Sequence, residues 1–168
     1  KELATKRARL AEQFIESSPH LNEDYLDKLS ILDLSVLLDL YDQEFFHNRW
    51  EQEVGTQLDF SLSTRMTRSA GKTIFKRRKI GSDPDEIVFE IRIGVNFFYQ
   101  FNSIDRTKTV CGLPAPNALW ALMLVFEHEL CHVIEVVYYK TSNCSKKRFK
   151  RLANGLFGHT TSSHALPT

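Results

Sequence analysis

Apolar and polar positions repeat with two different periods along this chain, and the order of those periods outlines a fold. Leu34, Leu37, Leu38, Tyr41 and Phe45 recur at three- and four-residue spacing, which predicts an amphipathic helix over residues 32–50. Residues 5–17 carry the same helical texture, and helical propensity returns over Asn22–Lys28. The period then shortens. LDFSLSTRM (58–66) alternates apolar and polar residues as a strand does, Gly71 interrupts it, and KTIFKRRKI (72–80) predicts a second strand before a turn at GSDPDE (81–86). EIVFEIRIGVNFF (86–98) is rich in β-branched and aromatic residues and sets Ile87, Phe89, Ile91 and Ile93 against Val88, Glu90 and Arg92, a third strand. After the loop CGLPAPN (111–117), Pro116 and Asn117 are placed to start a helix. That helix is the apolar run ALWALMLVFEHELCHVIEVVYY, from Ala118 to Tyr139. TSNCS (141–145) breaks it and offers a Ser or Asn cap, and KKRFKRLANGLF (146–157) predicts a last short helix ending near Gly158. Helices, then a small sheet, then helices indicate an α+β domain spanning residues 1–168, with residues 1–30 as an N-terminal helical extension.

Composition narrows the classes. At 168 residues the chain is long enough for one domain with a sizeable core. The longest apolar run carries Glu127, His128, Glu129, His132 and Glu135, so it is a poor membrane span. Three cysteines, Cys111, Cys131 and Cys144, are too few and of the wrong parity for a disulfide framework. With no apolar signal-like stretch in KELATKRARLAEQ, a reducing intracellular compartment, cytoplasm, nucleus or nucleoid, is expected. The net charge of +1 gives little global attraction to nucleic acid, so local basic clusters matter more.

The chemistry concentrates in FEHELCH, residues 126–132. His128 and His132 are four residues apart, which on a helix puts both imidazoles on one face with Cβ atoms about 6 Å apart. A tetrahedral Zn²⁺ accepts two nitrogens at that spacing. Glu129 is turned about 100° around the helix, within reach of water at the metal without ligating it. Zinc lowers the pKa of its water towards about 7, and a glutamate can take that water's proton and pass it to a leaving amine. The competing reading is ordinary burial of these polar groups with hydrogen-bond partners. Burying two histidines and a carboxylate without partners costs several kcal/mol, and a metal removes that cost.

A catalytic zinc takes three protein ligands and keeps one open position. Glu135 lies only three residues past His132 and suits a supporting role. Cys144 sits in the break after the helix, where the chain can turn back, and a thiolate ligates zinc at about 2.3 Å. His159 and His164 flank the end of the last helix and are suited to ligate, to orient a ligand or to donate to an oxyanion. His20 and His47 lie far upstream.

With these residues in view, the chain resembles the SprT-like zinc metallopeptidases, the family of Spartan and the bacterial SprT proteins. The likeness runs over residues 34–168. It is carried by LYDQEFFHNRW (40–50), STRMTRSAGKT (63–73), EIRIGVNFF (90–98), HELCH and FKRLANGLFGHTTSSHAL (149–166). The resemblance implies a gluzincin-like α+β fold: N-terminal helices, a small mostly antiparallel sheet, the metal helix and a short C-terminal helix. It implies one Zn²⁺ held by His128 and His132, Glu129 as general base, and a supporting place for His164. The family usually takes its third ligand from H-G-x-x-F. Aligning Phe149 with that phenylalanine puts the ligand position on Ser145, where no histidine stands. Cys144, the immediate neighbour, is the first choice, with His159 and His164 as alternatives.

The function so implied is a zinc endopeptidase acting on protein or peptide, with a substrate strand pairing along Glu90–Phe98. The family adds DNA-associated proteins and DNA–protein crosslinks as substrates. The basic clusters at 65–79 (Arg65, Arg68, Lys72, Lys76, Arg77, Arg78, Lys79) and 146–151 (Lys146, Lys147, Arg148, Lys150, Arg151) suit contact with DNA phosphates, or simply a solvated face. The alternative is a pseudoenzyme that keeps the fold and binds protein or DNA through its groove.

Overall fold

The structure is a computed structural model that describes residues 2–55, 57–79, 81, 86–103 and 108–163. The predicted turn at 81–86 falls largely outside them, as does His164. Among the described residues the class is α+β: six α-helices and a small mixed sheet. No helix among them is long and apolar enough to cross a membrane.

The centre of the molecule is α5, Ala118–Tyr139. Asn117 starts it by accepting a hydrogen bond from Trp120 N at 2.9 Å, and Lys140 ends it in a left-handed conformation (φ 67°). A helix apolar on every side must be covered on every side. α1 (Glu2–Ser17) and α2 (Ile31–Phe45) cover one flank, the three-stranded sheet another, and α6 (Lys147–Phe157) a third. The cover is specific: Phe60 stacks on Phe126 with ring centroids 5.8 Å apart, and the Tyr41 hydroxyl donates to Glu127. Leu10, Phe14, Leu26 and Leu29 enter the same core as Phe126, so residues 2–30 are part of it.

The sheet corrects the expectation of a mostly antiparallel arrangement. Strands β1 (Leu58–Ser63), β2 (Gly71–Arg78) and β3 (Glu86–Gly94) lie in the order β1-β3-β2, β1 parallel and β2 antiparallel to β3. Residues 64–70 cross over the C-terminal end of β3, where Ala70 O accepts from Gly94 N at 2.9 Å, so β1 and β2 flank β3 without pairing with each other. Since β3 is paired on both sides, it is no edge for a substrate strand; the edges are β1 and β2, and β2 is the one that lines the pocket described below. Alternation sets Leu62, Phe60 and Leu58 beside Ile93, Ile91 and Phe89 on one face.

Four local expectations also change. Residues 22–28 form no helix: Asn22 Oδ1 accepts from Asp24 N and Asn22 O from Tyr25 N, an Asx turn that competes with helix. The 32–50 helix stops at Phe45, reverses through His47 and Asn48 with positive φ (55° and 61°), and resumes as the short α3, Trp50–Glu53. The third strand ends at Gly94, and Val95–Tyr99 is a helix, α4. Val95, Phe98 and Phe101 are buried at three-residue spacing, so packing overrides their β propensity. The last helix, α6, has Lys146 at its N-cap and no side-chain cap, and Asn143 Oδ1 instead accepts from Ser145 N and Oγ. A two-stranded ribbon, β4 (Thr109–Val110) and β5 (Leu113–Pro114), precedes α5.

Candidate metal centre

His128 and His132 lie one turn apart on α5 and bring their Nε2 atoms to 3.2 Å. Cys144, in the break between α5 and α6, completes a group whose three ligand atoms all lie within 4.8 Å of one another. In a tetrahedral zinc site, bond lengths of 2.0–2.3 Å place such atoms about 3.3–3.7 Å apart. The imidazole pair already has that separation, and the sulfur, within 4.8 Å of the ring nitrogens, closes to it by a movement of at most about 1 Å.

Hydrogen bonds behind the rings set which nitrogen faces inward. Glu135 Oε2 takes the Arg148 Nε–H at 2.7 Å, and Oε1 takes the Ser142 hydroxyl at 2.7 Å. The Ser142 oxygen, its hydrogen so committed, accepts from His132 Nδ1 at 2.7 Å. His132 is therefore the Nδ1–H tautomer, and its Nε2 turns a lone pair towards His128. Behind His128, Nδ1 is 3.8 Å from Cys111 Sγ. Burial pushes the Cys111 thiol well above its ordinary range, and the nearby Glu127 and Glu129 charges add to it, so this partner is a neutral thiol. His128 Nε2 faces His132 Nε2 at 3.2 Å, close enough for the two nitrogens to share a proton or a cation. Phe149 from α6 packs on both rings, at 4.9 and 4.5 Å between centroids, and fixes their planes.

Glu129 is held from β2. The Thr73 hydroxyl donates to Oε1 at 2.8 Å and lies 3.2 Å from the Glu129 carbonyl oxygen. Burial raises the Glu129 carboxyl to about 8, against the Thr73 bond, which lowers it. The approach of strand to helix depends on Gly71: a Cβ there would sit 2.7 Å from Val125 Cγ1 and 3.0 Å from Glu129 Oε2. Gly71, Lys72, Thr73 and Phe75 form one wall of an open pocket of about 220 Å³, with His128, Glu129, His132, Ser142 and Cys144 on the others. Burial, then the charge of Glu129, raises the Cys144 thiol, so a thiolate there needs a cation.

Among the described residues the other histidines are elsewhere. His159 Nε2 is 2.9 Å from Glu127 Oε1, in a buried cluster with Arg7 and Tyr41. His20 Nε2 meets Asp33 at 2.9 Å. Ser145 is exposed and bonded to Asn143. Thr73, Ser142 and Cys111 were not singled out from sequence. Alternation along β2 puts Thr73 on the Gly71 face, a signal that was available; Ser142 and Cys111 had none.

The donor set, two imidazole nitrogens and one sulfur around a partly open pocket, fits a borderline-soft divalent cation such as zinc. No protein-family model matches the chain, and comparison with curated proteins and with solved structures likewise finds no match.

Proposed function

We propose that this protein is a zinc-dependent endopeptidase of the SprT-like type, with His128, His132 and Cys144 as metal ligands and Glu129 as general base. The observation that carries the reading is one grouping. Three soft and borderline donors converge on a pocket that also holds a buried carboxylate, beside the edge strand of a sheet.

When bound, the cation supplies an acidified water and polarises a carbonyl. The chain supplies the rest. Glu129 Oε2, with Oε1 steadied by Thr73, takes a proton from the attacking water and delivers it to the leaving amine. An extended substrate adds to the open edge of β2, and the backbone of residues 71–75 sets its register against the pocket. Phe75, 43% exposed, offers an apolar surface to a substrate side chain. Burial of Glu129 and the packing of Phe149 keep bulk water from the proton path.

The family's DNA-linked substrates fit the exposed Arg65, Arg68, Lys72, Lys76 and Arg77 on and before this same edge strand. Arg78 and Arg148 are less free for that role, being paired with Glu86 and Glu135.

The test is metal content by elemental mass spectrometry, with hydrolysis of an unstructured protein substrate measured in parallel. Wild type should carry zinc and cleave, and Cys144→Ala should lose the metal. Glu129→Gln should keep the metal and lose about 10²-fold or more in turnover. Full activity in Glu129→Gln would remove it as the base. Zinc retained in Cys144→Ala would remove Cys144 as a ligand. Zinc with no cleavage in wild type would leave a binding module.

A further inference from the structure

A second concavity lies on the far side of Phe149. Lys147, Lys150, Arg151 and Asn154 stand at i, i+3, i+4 and i+7 on α6, so they share one face of that helix. They form one side of a pocket of about 420 Å³; His159, Thr160, Thr161 and Ser162 form the other. No acidic residue lines it. Among the described residues none of the three cations takes part in an ion pair.

The hydroxyl wall is fixed in place. Cys111 O accepts from Thr160 N at 3.1 Å and from Thr161 N at 3.3 Å, and Ser163 O accepts from Cys111 N at 2.7 Å. Thr160 lies so close to Gly112 (φ +80°) that a Cβ there would be 1.8 Å from Thr160 Oγ1. These bonds use the backbone N–H groups; Thr160 Oγ1 packs against Gly112, and Thr161 and Ser162 also line the wall.

His159 supplies an independent pointer. It is 3% exposed and lines the pocket, and its Nε2 hydrogen is committed to Glu127. Its Nδ1 has no hydrogen-bond partner among the described residues. A buried imidazole nitrogen left unpaired is costly, and such groups are rare without a ligand or water to satisfy them.

We infer that this pocket binds a phosphomonoester carried on a small molecule of about nucleotide size. Lys147, Lys150 and Arg151 neutralise the phosphate, and Arg151 is suited to bidentate contact. The threonine and serine hydroxyls donate to its remaining oxygens. The His159 ring edges this wall, and its Nδ1 has under 1 Å² of exposed surface, so a ligand reaches that nitrogen after a small movement of the wall. The floor of Phe149 and Ala153 takes an apolar moiety. The volume falls in the range of about 300–1,000 Å³ usual for small-molecule sites, whereas a polynucleotide backbone is followed by an extended basic track. This inference does not rest on the metal reading.

The experiment is calorimetric titration of the full chain with inorganic phosphate, with adenosine monophosphate and with a single-stranded oligothymidylate lacking a terminal phosphate. Wild type is compared with the Lys147→Gln, Lys150→Gln, Arg151→Gln triple variant, all exposed positions. Phosphate and the mononucleotide should bind wild type saturably and bind the variant at least about tenfold more weakly. If the triple variant melts early, Arg151→Gln alone repeats the comparison. Absence of saturable binding by either phosphate ligand, or equal affinity in both proteins, overturns the proposal. Binding of the oligothymidylate alone, with steep salt dependence, also overturns it and assigns the face to a nucleic-acid backbone.

Discussion

Glu127 is fully buried, and its neighbours explain how it stays charged. Arg7 donates to both of its oxygens at 2.8 and 2.7 Å, His159 Nε2 lies 2.9 Å away, and Tyr41 adds its hydroxyl. Burial alone would raise this carboxyl; the His159 and Arg7 hydrogen bonds outweigh it and hold the group below its ordinary value. The cluster ties α1, α2, α5 and the segment after α6 to one point beside His128. Removing one partner of a buried ion pair strands the other. Arg7→Met should cost about 3–5 kcal/mol in urea unfolding, where an exposed pair would cost less than about 1. A loss below 1 kcal/mol would show that the cluster is solvated in solution. At this scale the sequence named the polar residues of the central helix and not their partners. His128, Glu129 and His132 could be read from helical spacing because all three lie within one turn and a half. Arg7 with Glu127, 120 positions apart, could not.

Elements carry the site through their ends and their close approaches. Gly71→Ala would set a methyl against Val125 and Glu129, and β2 would have to move from α5. The expected cost is about 1–3 kcal/mol; on the proposed function, peptidase activity should fall by a larger fraction than metal content, since Thr73 moves with the strand. Equal activity and stability would mean the strand rests further from the helix. The start of α2 is a capping box: Asp33 N donates to Ser30 Oγ at 3.3 Å, and Ser30 N to Asp33 Oδ2 at 2.8 Å. Burial raises the Asp33 carboxyl, but His20 and the two Ser30 donors outweigh it and bring it below 3.8. A depressed carboxyl stabilises the fold fully above its unfolded pKa and loses that contribution as pH falls through the folded value. Asp33→Asn should therefore lower stability by about 1 kcal/mol at neutral pH, and the gap to wild type should close in acid. A gap that widens in acid would contradict the assignment.

For the whole molecule, the metal reading predicts a linkage. A ligand bound only by the folded state at 1,000 times its Kd stabilises by about 4 kcal/mol. Chelation should therefore lower the melting temperature of wild type, and zinc should restore it. His132→Ala should melt near the chelated protein and respond to neither treatment. A melting curve of wild type indifferent to both would argue against a metal at this position.

The sequence by itself determined what depends on short range. Helical spacing placed His128, Glu129 and His132 together, Asn117 and Gly158 marked the ends of the helices they bound, and the changing periods gave the α+β class. Cys144 was legible as a candidate because a break follows the helix. Tertiary structure decided the rest. It placed β3 in the middle and left β1 and β2 as the edges, because a chain crossing over the end of a strand leaves no local signature. It turned Val95–Tyr99 into a helix, because burial at three-residue spacing outweighed propensity. It sent His159 to Glu127 and brought the Cys144 sulfur to the imidazoles, since which donors meet is a property of distances that only the packed chain has.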